Sequence, residues 1–270
     1  MSSKLKDIAN YLEINKASWN KRTATHVKSD FYDNESFING KNSLNEIELA
    51  LLGDIKGKSV LHLQCHFGQD TISLSRLGAK AVGADISDKA IEVARELATK
   101  EGADAKFICS DIYDLPNHLE EQFDIVFTSY GTIGWLPDLQ KWASVVANFL
   151  KPNGRFIMAD FHPVVWMYDY DFNNVAFKYS KSEPIIESIE GTYAQTDADI
   201  QLKTVSWNHG LGELLTSLIT NGITIQQFQE FDYSPYACFN GLTEFEKGKY
   251  RVEKLGDKIP MVYAIEGFKK

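Results

Sequence analysis

Residues 59–71, SVLHLQCHFGQDT, pass from a short apolar segment through a turn carrying Gln64, Cys65, His66 and Gly68 into helical spacing. If the apolar segment is a parallel strand and Gln69 to Thr71 open a helix, the unpaired N–H groups and the positive end of that helix point into a crevice. Loops at the carboxyl ends of such strands are where open parallel sheets bind ligands. Asp85 ends the next apolar segment, 21 residues after Gln64, and a carboxylate at that distance is placed to accept hydrogen bonds from the two hydroxyls of a ribose. Asp111 ends a third segment within CSDI, where it can receive the exocyclic amine of adenine while Ile86 and Ile112 cover the ring faces. Asp70 and Thr71 in the first helical turn, and Ser129 and Tyr130 at the end of a fourth segment, complete the set. These positions describe an adenosine lying across strand ends.

The turn itself discriminates between adenosine ligands. A dinucleotide fingerprint, G-x-G-x-x-G, needs bare backbone because a pyrophosphate must approach it closely. Gln64 and His66 obstruct that approach, which disfavours NAD and FAD. A ligand carrying only an amine and a carboxylate tolerates side chains there, and Gly68 remains for the one close contact or positive-φ turn. His62, inside the strand, reads first as a core histidine.

The elements that must position these residues follow from periodicity. KSVLHLQ, AKAVGADI, AKFICSDI, FDIVFTSYG and RFIMADF are five short apolar runs. Between them, DTISLSRLG closes on Gly78, SDKAIEVARELATKEG is capped by Ser87 and ended by Gly102, and LQKWASVVANFL is stopped by KPNG. Strands alternating with helices predict right-handed crossovers and a doubly wound parallel α/β sheet covered on both faces. PIIESIEGTY and IQLKTVSW predict an inserted antiparallel hairpin, followed by a helix, LGELLTSLITNG. Two final strands, ITIQQFQEFDYS and IPMVYAIEGFK, have no helix between them and are expected to pair antiparallel at the sheet edge, with residues 235–258 as a loop. The expected organisation is an N-terminal helical cap (1–56), a cofactor-binding core (57–161), an aromatic-rich lid (162–206) and a C-terminal helix with antiparallel strands (207–270) completing one domain.

Composition narrows the partners. With 270 residues, 44% apolar and 24% charged, the chain can fill a sizeable core. Its formal net charge of −9 repels phosphate backbones and anionic membranes, so neither nucleic acid nor membrane is an expected partner. There is no signal-like or membrane-spanning apolar run, and the three cysteines lack metal-type pairing, so a cytoplasmic protein without a metal site is expected.

In order, VLHLQCHFG, GADIS, CSDIYDLP, FDIVFTSYGTIGWLPDL and LKPNGRFIMADF resemble the class I methyltransferases that use S-adenosylmethionine, over residues 57–165. The family's first motif has an acid where His62 stands and glycines where Gln64 and His66 stand. The chain also resembles an uncharacterised bacterial branch with the LHLQCHFG form, through Trp19, His26, Ser29, Phe31, Tyr32 and Asp33 and the later Trp207, Asn208 and His209. The resemblance implies a seven-stranded, mostly parallel Rossmann-like sheet with its last strand antiparallel, S-adenosylmethionine as cofactor, and methyl transfer to a small molecule. His162 and His209 are then candidate bases for a hydroxyl acceptor, and Tyr130 a candidate shaper of the methyl channel. Trp19, His26, Tyr32, Trp135, Trp166, Tyr168 and Trp207 are candidate substrate or lid residues. A non-catalytic adenosine-binding sensor and a nicotinamide-dependent oxidoreductase are the competing readings.

Overall fold

A computed structural model describes residues 3–270. Four helices come first: α1 (Ser3–Ala9), α2 (Tyr11–His26), α3 (Asn34–Ile38) and α4 (Glu46–Leu52). Strands and helices then alternate as β1 (Ser59–Leu63), α5 (Gln69–Arg76), β2 (Lys80–Asp85), α6 (Asp88–Glu101), β3 (Ala105–Cys109), β4 (Phe123–Ser129), α7 (Leu139–Phe149) and β5 (Leu150–Phe161). The remainder comprises a hairpin of β6 (Ile185–Glu190) and β7 (Gln201–Ser206), then α8 (Leu211–Thr220), β8 (Ile223–Phe231), a second hairpin of β9 (Leu242–Glu246) and β10 (Lys249–Val252), and β11 (Val262–Lys269).

The main sheet has seven strands in the order β3-β2-β1-β4-β5-β11-β8. The pairs from β3 through to β5 are parallel, while β11 runs antiparallel to both β5 and β8. The last strand therefore lies inside the sheet, and β8 forms the edge. Both faces are apolar because alternate residues of each central strand feed different cores. Leu61, Leu63, Val126, Phe156 and Met158 pack beneath α7 and α8. Val60, Ile125, Phe127, Ile157 and Ala159 pack on the other face with Ile47 and Leu51 of α4 and Leu74 of α5. This alternation is the period-2 signature of a strand buried on both sides.

Two local expectations are corrected. Residues 242–252, expected within a loop, form the β9/β10 hairpin, whose strand alternation is masked in the sequence by charged residues on an exposed surface. KPNG does not lie outside β5: Leu150 pairs with Phe123, the register shifts, and Arg155 resumes opposite Ile125. Those four residues are a bulge within the strand.

The β6/β7 hairpin is tied to α2. The buried Asn15 side chain donates to the carbonyl of Val205 (2.8 Å) and accepts from its N–H (2.9 Å), occupying the place of a neighbouring strand. Helix α2 and the hairpin together lie over the carboxyl ends of the central strands. Among the described residues no helix is long and apolar enough to cross a membrane.

Candidate active site

A cavity of about 1140 Å³ opens at the carboxyl ends of the central strands beneath α2 and the hairpin. Sites of roughly 300–1,000 Å³ hold drug-sized ligands, so this one has room for a nucleoside cofactor and a second small molecule.

Its floor is the turn between β1 and α5. Gln64 and His66 have φ of 57° and 51°, and Gly68 has φ of 84°. The left-handed conformation that favours glycine is therefore adopted with side chains attached at two positions, a strain of order 1–3 kcal/mol each. Gln64 is held by a bond from Nε2 to the carbonyl of Thr132 (2.9 Å). The backbone N–H of His66 donates to Asp85 Oδ2 (2.9 Å), and Asp85 Oδ1 accepts from the N–H of Ser87 (2.8 Å). Asp85 lies half-buried at the end of β2, and desolvation pushes its carboxyl up to about 6 against those N–H bonds. Asp111, beyond β3, is likewise raised by burial, with Tyr11 of α2 beside it.

The positive end of α5 already has an anion. Asp70, in its first turn, accepts from Ser43 Oγ (2.6 Å) through Oδ1 and from Ser129 Oγ (3.3 Å) through Oδ2. An external phosphate would meet this carboxylate, a second reason beside the side chains of the turn for the site to reject a pyrophosphate. His62 lines the cavity through a ring whose Nδ1 lies 2.9 Å from Thr71 Oγ1, and burial lowers it to about 4, so it is neutral. Cys65 is buried and its thiol held well above its ordinary value by burial.

Gln64, Cys65, His66, Gly68, Asp70, Asp85, Ile86, Asp111, Ile112, Ser129 and Tyr130 all line the cavity, as do Trp19, Tyr32, Trp135, Trp166, Tyr168, Trp207 and His209. Thr71, His26 and His162 do not. Thr71 turns into the core toward His62, and His26 lies behind His66. His162 instead faces Glu230, whose Oε1 is 2.9 Å from its Nε2, while Nδ1 accepts from the N–H of Val164. His209 reaches the wall, but its Nε2 donates to the carbonyl of Leu136 (2.8 Å) and its Nδ1 faces Glu213 (3.0 Å). Both histidines expected as bases thus have both ring nitrogens engaged in structural bonds. Trp166 is 40% exposed at the rim, edge-on to Phe161 and Phe239.

Tyr130 has φ of 39° and donates its hydroxyl to Glu48 Oε2 (2.8 Å). Glu48 is completely buried, and its other oxygen accepts from the N–H of Asn45 (2.9 Å), so this pair pins α4 to the loop after β4. Burial raises the Glu48 carboxyl and holds the Tyr130 hydroxyl well above its ordinary range. Removing the hydroxyl in Tyr130→Phe leaves a buried carboxylate oxygen without its donor and is expected to cost about 1–3 kcal/mol in urea unfolding. A loss under about 0.5 kcal/mol, the range of neutral surface substitutions, would show that water replaces the tyrosine there.

Several residues at the site escaped the sequence reading. Asp160 ends β5 with both oxygens accepting bonds, from the N–H groups of Gly131 and Phe161 and from the N–H and hydroxyl of Thr132. Tyr193 meets Tyr32 hydroxyl to hydroxyl. Arg22 is 4% exposed in the cavity wall, its guanidinium over the rings of Trp19 (4.9 Å) and Trp135 (5.3 Å). A signal for it existed: Trp19, Arg22 and His26 are three and then four residues apart, which is one face of a helix.

Comparison with known proteins agrees with this architecture. Residues 54–214 match a family described as a methyltransferase domain. An uncharacterized methyltransferase of Synechocystis sp. is 34% identical over 133 residues, 48% of this chain and 60% of that one. A ubiquinone biosynthesis O-methyltransferase of Coxiella burnetii is 30% identical over 105 residues, 39% and 44% of the two chains. The chain spans about half the length of these curated relatives. Among solved structures, an S-adenosylmethionine-dependent methyltransferase from Mesorhizobium loti superposes with a TM-score of 0.57 at 18% identity, covering 86% of this chain and 100% of that one. Geranyl diphosphate C-methyltransferase from Streptomyces coelicolor, in complex with S-adenosyl-L-homocysteine, gives 0.56 at 14% identity, covering 83% and 78%. At such identities the structures support the shared fold. With the family match covering more than half of its length, the chain belongs to the methyltransferase-domain family.

Proposed function

We propose that the protein transfers a methyl group from S-adenosylmethionine to a small-molecule acceptor. The observation that carries this reading is the placement of Asp85 and Asp111 on neighbouring strand ends, opening into one cavity with the Gln64–Gly68 turn beside them. Asp85 keeps lone pairs for the ribose hydroxyls beyond the two N–H bonds it accepts, and Asp111 takes the adenine amine between Ile86 and Ile112. The residues at the turn fit the amino-acid tail, because the buried Gln64 Oε1 has no hydrogen-bond partner among the described residues and is an acceptor suited to an ammonium group. S-adenosylmethionine, when bound, supplies an already activated methyl on a sulfonium.

The chain's own contribution is to hold the acceptor in line with that methyl and to exclude water, which for well-oriented reactants can be worth about 7–11 kcal/mol. Trp19, Trp135, Tyr32 and Trp207 supply the apolar wall for a small, partly aromatic or aliphatic acceptor. No proton-transfer role is assigned to His162 or His209. The negative net charge speaks against a nucleic-acid acceptor. Three free cysteines fit a reducing compartment such as the cytoplasm, and the LHLQCHFG turn with its N-terminal WNKRTATH face supports a place in the bacterial branch that shares these motifs.

The test is direct. S-adenosylhomocysteine is expected to raise the melting temperature, and tritium from labelled S-adenosylmethionine is expected to appear in a metabolite extract. No shift at saturating ligand sinks the reading, whereas a shift without transfer favours the sensor. A shift with NADH instead would favour the oxidoreductase.

A further inference from the structure

Among the described residues, the cavity wall holds a cation with no counter-ion. Arg22 carries a permanent charge, yet among the described residues its one hydrogen bond is from Nη1 to Ser18 Oγ (2.9 Å), and its Nε is buried without a partner. Among the described residues no carboxylate stands within ion-pair distance of it. The groups that face it are the hydroxyls of Tyr32, Tyr170 and Tyr193 and the rings of Trp19 and Trp135. A lone buried guanidinium is costly to fold, which marks it as a group whose partner arrives with a ligand.

A second, independent irregularity lies beside it. His66 Nε2 is 2.9 Å from His26 Nδ1, while the outer nitrogens, His66 Nδ1 and His26 Nε2, are buried and unpartnered among the described residues. Burial and the nearby Arg22 keep both rings neutral. Two neutral imidazoles share one proton at their contact, so one outer nitrogen must be an N–H donor and the other a lone pair. If His26 Nδ1 donates to His66 Nε2, then His66 Nδ1 is an N–H donor buried at the wall that His66 contributes to the cavity. Trp19 packs edge-on to His66 (5.1 Å) and to Trp135 (5.5 Å), closing this corner.

We infer that Arg22 and His66, with His26 setting the tautomer of His66, form a receptor for a carboxylate group in this corner of the cavity. One cation and one neutral donor balance a monoanion. Asp70, Asp85, Asp111 and Asp160 line the same cavity and oppose a dianionic phosphate. The planar guanidinium also matches a planar carboxylate. On the methyltransferase reading, on which this inference rests, that carboxylate belongs either to the methionine tail of the cofactor or to the acceptor.

The experiment uses the full chain and its Arg22→Met and His66→Asn variants, asparagine being tolerant of the positive φ at position 66. Calorimetric titrations use S-adenosylhomocysteine and 5′-methylthioadenosine, which keeps the adenosine and thioether but lacks the tail. Sodium benzoate is added to the free protein and to the S-adenosylhomocysteine complex, with melting temperature as the readout. If the tail is the ligand, both variants lose about 10–100-fold in affinity for S-adenosylhomocysteine and none for methylthioadenosine. If the acceptor supplies the carboxylate, the nucleoside affinities stay equal to wild type and the benzoate shift disappears in Arg22→Met. The ligand-free Arg22→Met protein is expected to melt no lower than wild type, since it no longer buries a lone charge. No Arg22-dependent response in any arm overturns the inference. A wild-type protein that binds neither nucleoside overturns the methyltransferase reading instead, and benzoate on the free protein then still decides Arg22.

Discussion

Replacing Asp85 by alanine is expected to lower the affinity for S-adenosylhomocysteine by about 10²- to 10⁴-fold, read by isothermal titration. Two hydrogen bonds from ribose hydroxyls to a half-buried, charged carboxylate, at about 1.5–3 kcal/mol each, account for that range. The same carboxylate organises the turn that floors the cavity, because it accepts the N–H of His66. The wild-type protein adds a pH signature. Burial raises Asp85 to about 6, and only its ionised form accepts from both hydroxyls, so affinity should fall as pH drops through about 6. Stability of the free protein moves in the opposite sense. A carboxyl raised from its unfolded value near 4 contributes stability that is complete below about 4 and is lost as pH rises through about 6, up to about 3 kcal/mol. The alanine variant should lack both dependences. An Asp85→Ala protein that binds within threefold of wild type would refute the ribose role, and a flat wild-type pH profile would refute the ionisation argument.

Gly68→Ala is expected to be the most damaging single-methyl change in the turn. Its φ of 84° disfavours any side chain, and a Cβ there would stand 2.6 Å from the Phe107 ring and 2.9 Å from Ala94 Cβ. The left-handed penalty of about 1–2 kcal/mol and overpacking of about 1–3 kcal/mol together predict a loss of about 2–5 kcal/mol in urea unfolding. The ring and helix that would have to yield belong to a buried cluster joining α5, α6 and β3, so the strain should also displace the turn and weaken nucleoside binding. Gln64 and His66 form the contrast: they carry side chains at positive φ, and those side chains find hydrogen-bond and ring partners at the cavity wall. A loss below about 1 kcal/mol for Gly68→Ala would mean that Phe107 swings aside, and the turn would then be more plastic than its packing suggests.

The alternation of strands and helices, the β6/β7 hairpin, the capping of α6 by Ser87 and the positions of Gln64–Gly68, Asp85 and Asp111 were all legible in the sequence. Each depends on a local period or on the end of an element, and such patterns are written in consecutive residues. A parallel sheet then brings successive strand ends to one crevice without further information. What tertiary structure decided is which side chain meets which. His162 and His209 were candidate bases from sequence, but Glu230 and Leu136, each about 70 residues away in sequence, take up their ring nitrogens. Glu48 and Tyr130 are 82 residues apart, and His26 and His66 are 40. Strand β11 enters between β5 and β8 because two antiparallel ladders satisfy both of its edges. The sequence by itself determined the sheet and the row of polar groups at its strand ends, because periodicity and spacing are local. Only the folded chain decided which histidines are spent on structure and that Arg22 lies buried without a counter-charge among the described residues, because hydrogen-bond and charge partners are chosen by proximity in space.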